Sequence, residues 1–532
     1  MLYFTTLLQY EIIFIPGIIF LILTSFTFVF FKEVQQKLII DNSTKTSTII
    51  TKTTFNVFVE SYKPFLIVLA RIYILYFIFW FLNTSYFFSY TSLFIFSSFQ
   101  LTNYIWLYIT ITIFLCLILL LIFYQLINFN YFNSYEFWLG LIYFFISTVY
   151  YFLLNNMVSF FFIFEVQGLI FLYLIIVNWE IKSKFLQTNL NYLQYTNLNT
   201  TWYFNALILQ FWVSFFSAIL FIFGILLLLQ STTFNEWENI LIFSYFSTFL
   251  NFFPTTIWLG WLFICLSLSL KLGLLPFFLW KPEIYKYLNI FVLCLYMTIY
   301  IFNIINFVIF LFTYYMVLIK DWYIILIYFI SLVTFILIPI FFFSITEIRT
   351  FLALSSVIQI TYIFSLLLFF SKQALSIMFL YTYVYFSYMI LFFIIIFSLN
   401  YWNIWYLTDL QFLSSKRYLL TGLVVLFLGS AGIPPFLGFF TKLSVISFLI
   451  FSTEYMLALF GIIGGYFSAY FYWQLLRFLD YQPNKLTYKA NVLLIKNSYF
   501  LYLFYLLIFF NFFAYIFFSD FLIFTTYLAM LL

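Results

Sequence analysis

The chain has 532 residues, of which 67% are hydrophobic, 28% aromatic and only 7% charged. Soluble domains carry about 25% charged residues, so a water-soluble architecture is excluded. The formal net charge of +5 is small for this length and gathers into no basic patch, which excludes a nucleic-acid binder. The chain reads as an all-α polytopic membrane protein.

The apolar runs resolve into about 14 membrane helices, each near the ~20 residues that a bilayer requires. They cover 12–31, 65–83, 104–125, 136–154, 157–177, 203–229, 256–280, 288–312, 322–344, 350–371, 374–399, 418–452, 455–476 and 498–518. Segments 84–103 and 231–255 are apolar enough to lie at the interface. Runs of this length lack the two-residue alternation of membrane strands, so strands are not expected. The most polar stretch, the loop 32–64, contains NSTKTSTIITKTT and reads as exposed.

Composition carries a second message. The 87 Phe and 47 Tyr stand against 13 Gly and 9 Pro. Phe, Tyr, Ile, Leu, Asn and Lys can be spelled with A and T, and this skew points to an AT-rich organellar genome. No Arg/Ser-rich transit peptide precedes the first apolar run, as expected for synthesis inside an organelle. Cys116, Cys265 and Cys294 lie singly in apolar runs and there is no histidine. The usual ligands of zinc, haem and iron–sulfur clusters are therefore missing, and neither a metal nor a cofactor is expected.

Loops after odd-numbered helices carry 16 of the 21 Lys and Arg residues, among them Lys281, Lys286 and Arg349. Loops after even-numbered helices carry two, Lys320 and Lys372. By the positive-inside rule the rich side is the cytoplasm or mitochondrial matrix. An even number of spans then puts both termini on the opposite, intermembrane-space side.

Three cations remain inside spans, Arg71, Lys271 and Lys442, together with one acid, Glu165. An ionisable group at mid-bilayer costs about 2.5–3.5 kcal/mol on the mildest scale. Arg71 lies near one end of its span, where it can snorkel to the headgroups. Glu165 and Lys271 sit mid-run, where snorkelling is hard, and a functional use is the default reading. The bland rival is a static salt bridge that only fixes packing.

Two spans are interrupted beside these lysines. LSLSLKLGLLPFFLW places Gly273 and Pro276 just beyond Lys271, and LGSAGIPPFLGFFTKLSVISF places Gly432, Pro434, Pro435 and Gly438 before Lys442. Proline opens the backbone ladder. Within a bilayer that is tolerated only where backbone meets protein or water, and paired broken helices point to a transport site.

Three blocks carry a family resemblance: KLGLLPFFLWKPE at Lys271–Glu283, EIRTFLALSSVIQITY at Glu347–Tyr362, and SAGIPPFLGFFTK at Ser430–Lys442. In this order and spacing they resemble the antiporter-like proton-pumping subunits of respiratory complex I, and the Ala-Gly-Ile-Pro-Pro wording resembles NADH dehydrogenase subunit 2, subunit N in bacteria. The resemblance covers roughly 140–450. It implies antiporter-like inverted repeats, with N-terminal helices and the polar loop over 1–135, a first repeat at 136–312, a second at 313–476, and a C-terminal loop and helix at 477–532. It further implies a mitochondrial inner-membrane subunit of the proton-translocating NADH:ubiquinone reductase, with other membrane-arm subunits and lipids such as cardiolipin as partners. The redox groups and most of the quinone site then belong to other subunits.

Residue by residue, the resemblance makes Glu165, Lys271 and Lys442 a proton relay. The Glu165–Lys271 pair would gate the proton affinity of the lysine and Lys442 would pass the proton toward the intermembrane space. Two departures stand out. The eighth span, 288–312, holds no ionisable cation, only Asn289, Tyr296, Thr298, Tyr300, Asn303 and Asn306, and Gln359 stands where histidine is common. Two rivals follow: a structural membrane-arm subunit with a degenerate proton path, and a free-standing cation/proton antiporter.

Overall fold

The computed structural model describes residues 135–187, 193–237, 255–288, 290–312, 320–342, 345–369, 371–399, 417–480 and 518–531, with isolated positions between them and short pieces in 93–112 and 505–516. The expected helices at 12–31 and 65–83, most of those at 104–125 and 498–518, the loop 32–64, Arg71 and Cys116 lie outside the described residues.

The chain divides into two units, Met1–Phe87 with Asn130–Ile142, and Phe88–Phe129 with Tyr143–Leu532. Of the first unit only the opening turns of helix α1, Tyr135–Leu153, are described. The second unit holds everything that follows. Its helices are α2 Met157–Gln187, α3 Leu193–Thr232, α4 Thr255–Leu272, α5 Trp280–Tyr287, α6 Ile290–Leu295, α7 Ile301–Phe310, α8 Lys320–Phe342, α9 Ile348–Leu366, α10 Lys372–Leu399, α11 Arg417–Ala431, α12 Leu437–Phe451, α13 Tyr455–Asp480 and α14 Phe518–Leu531. A two-stranded antiparallel hairpin pairs Leu93–Ile95 with Phe99–Leu101. It sits within the segment that the hydropathy left as interfacial.

Among the described residues, eight helices are long and apolar enough to cross a bilayer, and Leu420–Ala431 and Leu437–Phe451 are shorter apolar arms. Burial sorts these spans. The span 291–310 is buried along all of its apolar window and 348–366 along 89%, whereas 204–232 is buried along only 33%. The eighth and tenth spans therefore form the centre of this unit, and α3 turns Phe211, Trp212 and Phe215 outward. An apolar outer face is what lipid solvates.

Both interrupted spans are broken as the sequence indicates, and the breaks define where each arm begins. The first separates α4 from α5 and the second separates α11 from α12. One boundary differs in kind. The run read as ending at 280 continues as α5 to Tyr287, so Lys281 is not in an exposed loop but 0% exposed. Arg349, also read as a loop residue, is 8% exposed. Its Nη1 donates to the carbonyls of Lys286 (3.1 Å) and Leu288 (2.8 Å) at the end of α5. Beside it Lys286 pairs with Glu347 at 2.6 Å. A guanidinium satisfying the last carbonyls of a helix is favoured by the helix dipole as well as by hydrogen bonding, and these contacts tie the start of α9 to the second arm of the broken span.

The first arm is fixed from its other side by α3. A Cβ placed on Gly224 would lie 2.7 Å from the Gly260 carbonyl oxygen and 2.8 Å from the Ile264 side chain. Close backbone approach through small residues is how membrane helices gain dispersion energy in the absence of a hydrophobic driving force between them. Gly224→Val should therefore cost about 1–3 kcal/mol through overpacking and lower the amount of assembled protein on native gels of solubilised membranes. Undiminished assembly would show that α3 and α4 do not meet at this contact.

Candidate functional site

The site is built on the ends of the broken helices. Lys271 occupies the last turn of α4, and Glu165 projects from α2. Their ammonium and carboxylate groups form an ion pair at 2.9 Å, with side chains 3% and 21% exposed. The ammonium also lies 3.2 Å from the centre of the Phe164 ring. A charge deep in a bundle requires compensation of this kind, because removing one member of a buried pair costs about 3–5 kcal/mol.

Two residues beyond Lys271 the backbone turns through Gly273 at φ +67°, a left-handed conformation that L side chains rarely adopt. The helix end is closed by Gly273 N–H donating to Leu270 O and Leu274 N–H to Ser269 O. The indole of Trp280 donates to Leu270 O at 3.2 Å, and Lys281 Nζ donates to Leu272 O at 3.1 Å. Side chains of the second arm thus satisfy carbonyls that the break releases, as burial in a membrane requires.

Lys442 stands at the second break. Its Nζ donates to Ser430 O (2.7 Å) and Ala431 O (2.9 Å), the last carbonyls of α11. It is 8% exposed and lines a cavity with Ser355, Gln359, Tyr381, Tyr388 and Thr441. Gln359 accepts a hydrogen bond from Tyr381 Oη and donates to Ser430 O at 3.4 Å, the same carbonyl that receives the lysine. Glutamine here serves as both acceptor and donor, the two capacities of an amide. Glu165 and Lys271 are therefore brought together, while Lys442 belongs to a separate cluster.

Between them runs the eighth span, interrupted by a π-helical turn at Tyr296–Tyr300. Such turns are rare and are frequently found at functional sites. All of its polar candidates from Tyr296 onward are buried. The side-chain amides of Asn303 and Asn306 have no hydrogen-bond partner among the described residues. Buried amides in native proteins are partnered by protein or by ordered water.

Residues 154–468 match the NADH:quinone oxidoreductase/Mrp antiporter transmembrane family. The chain belongs to this family. Solved structures with the same fold include a chain of the Mrp complex from Dietzia sp. DQ12-45-1b, at 13% identity and TM-score 0.68, covering 90% of this chain and 94% of that one. A chain of respiratory complex I from Thermus thermophilus with bound aureothin matches at 13% identity and TM-score 0.63, covering 89% and 96%. A chain of the membrane-bound sulfane sulfur reductase, an archaeal respiratory membrane complex, matches at 13% identity and TM-score 0.65, covering 88% and 92%. No curated protein sequence matches the chain. At these identities the structural likeness speaks for the fold, and the family for an antiporter-like membrane subunit.

Sequence reasoning passed over Lys281, the third lysine at these breaks. The available signal was the break itself, since a span opened at Gly273 and Pro276 needs a second arm of its own before it leaves the membrane. The two unpartnered amides have a direct consequence: a density map that resolves solvent should show ordered water bound to Asn303 and Asn306. A dry packing of both amides against apolar side chains would contradict it.

Proposed function

We propose that this chain is the subunit 2 type of proton-translocating subunit in mitochondrial complex I, working in the inner membrane among other membrane-arm subunits. Electron transfer takes place in those other subunits, and this chain takes part in NADH:ubiquinone reductase through proton movement alone. The observation that carries the reading is the buried Lys271–Glu165 pair at the open end of a broken helix.

The chemistry follows from desolvation. A lysine in an apolar surrounding holds its proton while a carboxylate stands within hydrogen-bond reach, and favours the neutral amine when that carboxylate withdraws or is neutralised. Lysine can be switched in this way, whereas arginine stays charged throughout. Glu165 thereby acts as the gate, Lys271 as the group that loads and releases, and Lys442 as the exit group, its ammonium held by the carbonyls of Ser430 and Ala431 when charged. The three broken-arm and pair contacts supply a resting place for each charge, and hydroxyls and water supply the path between.

The scaffold alternative requires a core whose polar groups are all paired by protein. The amides of Asn303 and Asn306, which find no partner among the described residues, speak against it. The free-standing antiporter alternative is separated by co-purification, since the proposed subunit should travel with a large respiratory assembly.

Replacing Lys271 by Met should leave the complex assembled and electron transfer to an artificial acceptor intact. Coupled proton uptake into vesicles containing the reconstituted complex should fall about a hundredfold or more, the scale on which a single proton-transferring side chain contributes. Proton uptake at the native rate in the Lys271→Met complex would overturn the reading.

A further inference from the structure

Lys281 has no part in the relay just described, yet its geometry repeats that of Lys442. Helices α4 and α11 end in the same turn. Gly273 N–H donates to Leu270 O at 3.1 Å and Leu274 N–H to Ser269 O at 3.0 Å; Gly432 N–H donates to Gly429 O at 3.0 Å and Ile433 N–H to Leu428 O at 3.1 Å. This is the paired bonding of a Schellman end, with the two glycines at φ +67° and +80°. In each case a lysine on the second arm reaches back to the carbonyl just before the glycine, Lys281 to Leu272 O at 3.1 Å and Lys442 to Ala431 O at 2.9 Å. Each stem lies directly over its glycine. A Cβ on Gly273 would meet Lys281 Cδ at 2.9 Å, and one on Gly432 would meet Lys442 Cδ at 2.8 Å.

The correspondence is spatial rather than sequential. Lys281 follows its glycine by eight residues and Lys442 by ten, so aligning the two breaks on their glycines does not pair the lysines.

The surroundings of Lys281 connect it in both directions. Its ammonium lies 5.9 Å from the ring centre of Tyr285. Tyr285 meets the ring of Tyr296 edge to face at 5.7 Å, and Tyr296 stacks on Tyr300 at 4.9 Å. Tyr300 lies within electrostatic reach of Glu165. On the other side Tyr285 lies within electrostatic reach of Tyr385, which lines the cavity that contains Gln359 and Lys442.

We propose that Lys281 is a third proton-carrying lysine, standing between the Glu165–Lys271 pair and Lys442 in place of the cation that the eighth span lacks. The inference rests on the proton-translocating function proposed above. As the neutral amine, Lys281 takes a proton released by Lys271 through the intervening tyrosine hydroxyls and water. The ammonium so formed is held by Leu272 O, and it returns to the amine when the proton moves on toward Lys442. One proton enters and one leaves, with no other bond changed.

The experiment compares Lys281→Met, Lys281→Gln and Lys281→Arg in the whole complex reconstituted into vesicles, with Lys271→Met alongside. Gln keeps a donor for Leu272 O without a transferable proton, and Arg keeps both the charge and the donors but does not release its proton. All three should assemble and lose coupled proton uptake about a hundredfold, with electron transfer to an artificial acceptor unchanged. Native uptake in the Met variant would overturn the proposal. So would recovery in Gln or Arg, or failure of all three to assemble, because Lys281 would then be a helix cap alone. If Lys271→Met reduces uptake and the Lys281 variants do not, only the role of Lys281 falls. If Lys271→Met itself leaves uptake unchanged, the underlying function falls instead.

Discussion

A positive charge placed in an oil-like interior must be answered at once, and this protein answers three of them at the ends of broken helices. Lys271 is answered by a carboxylate at 2.9 Å, and Lys281 and Lys442 by backbone carbonyls at 2.7–3.1 Å. The two kinds of answer differ in what they permit. A carboxylate can move or take up a proton and so change the charge that its partner experiences, whereas a carbonyl at a helix terminus is a fixed dipole. The pair is therefore the adjustable element, and the helix ends are resting places of constant depth.

The fold exists to hold those ends apart inside the bundle. Left-handed glycines at 273 and 432 stop α4 and α11 inside the bundle, which frees carbonyls there. Arg349 binds the carbonyls of Lys286 and Leu288 and thereby fixes α5, while the close approach of Gly224 to Gly260 fixes α4. The eighth and tenth spans fill the space between with tyrosine rings and amides in place of ionisable groups. The positions of the lysines thus rest on the packing of the helices that carry them against their neighbours.

Much of this was legible in the sequence. Hydropathy gave the all-helical membrane class, and Lys271 and Glu165 stood out because each interrupts a long apolar run. Glycine and proline beside the lysines located both breaks, and the wording around Pro276, Ser355 and Pro435 pointed to the family. Lys281 and Arg349 were misread for one reason: both sit in short polar stretches whose composition matches a cytoplasmic-side loop. Hydropathy averages over a window and does not register that a broken helix has two arms, nor that a single arginine can be consumed by the carbonyls of a neighbouring helix end. The π-turn at Tyr296–Tyr300 has no signature in residue pattern, since it depends on the contacts of a wholly buried span.

The central claim, that Glu165 and Lys271 act as one switch, is tested most directly by a double-mutant cycle. Coupled proton uptake is measured for Glu165→Gln, Lys271→Met and the combined variant in the same reconstituted complex. Residues that work as a unit give strongly non-additive losses, so the combined variant should be no slower than the worse of the two single ones. Losses that multiply, each substitution acting regardless of the other, would mean that the two side chains serve separate ends and that the ion pair is only packing.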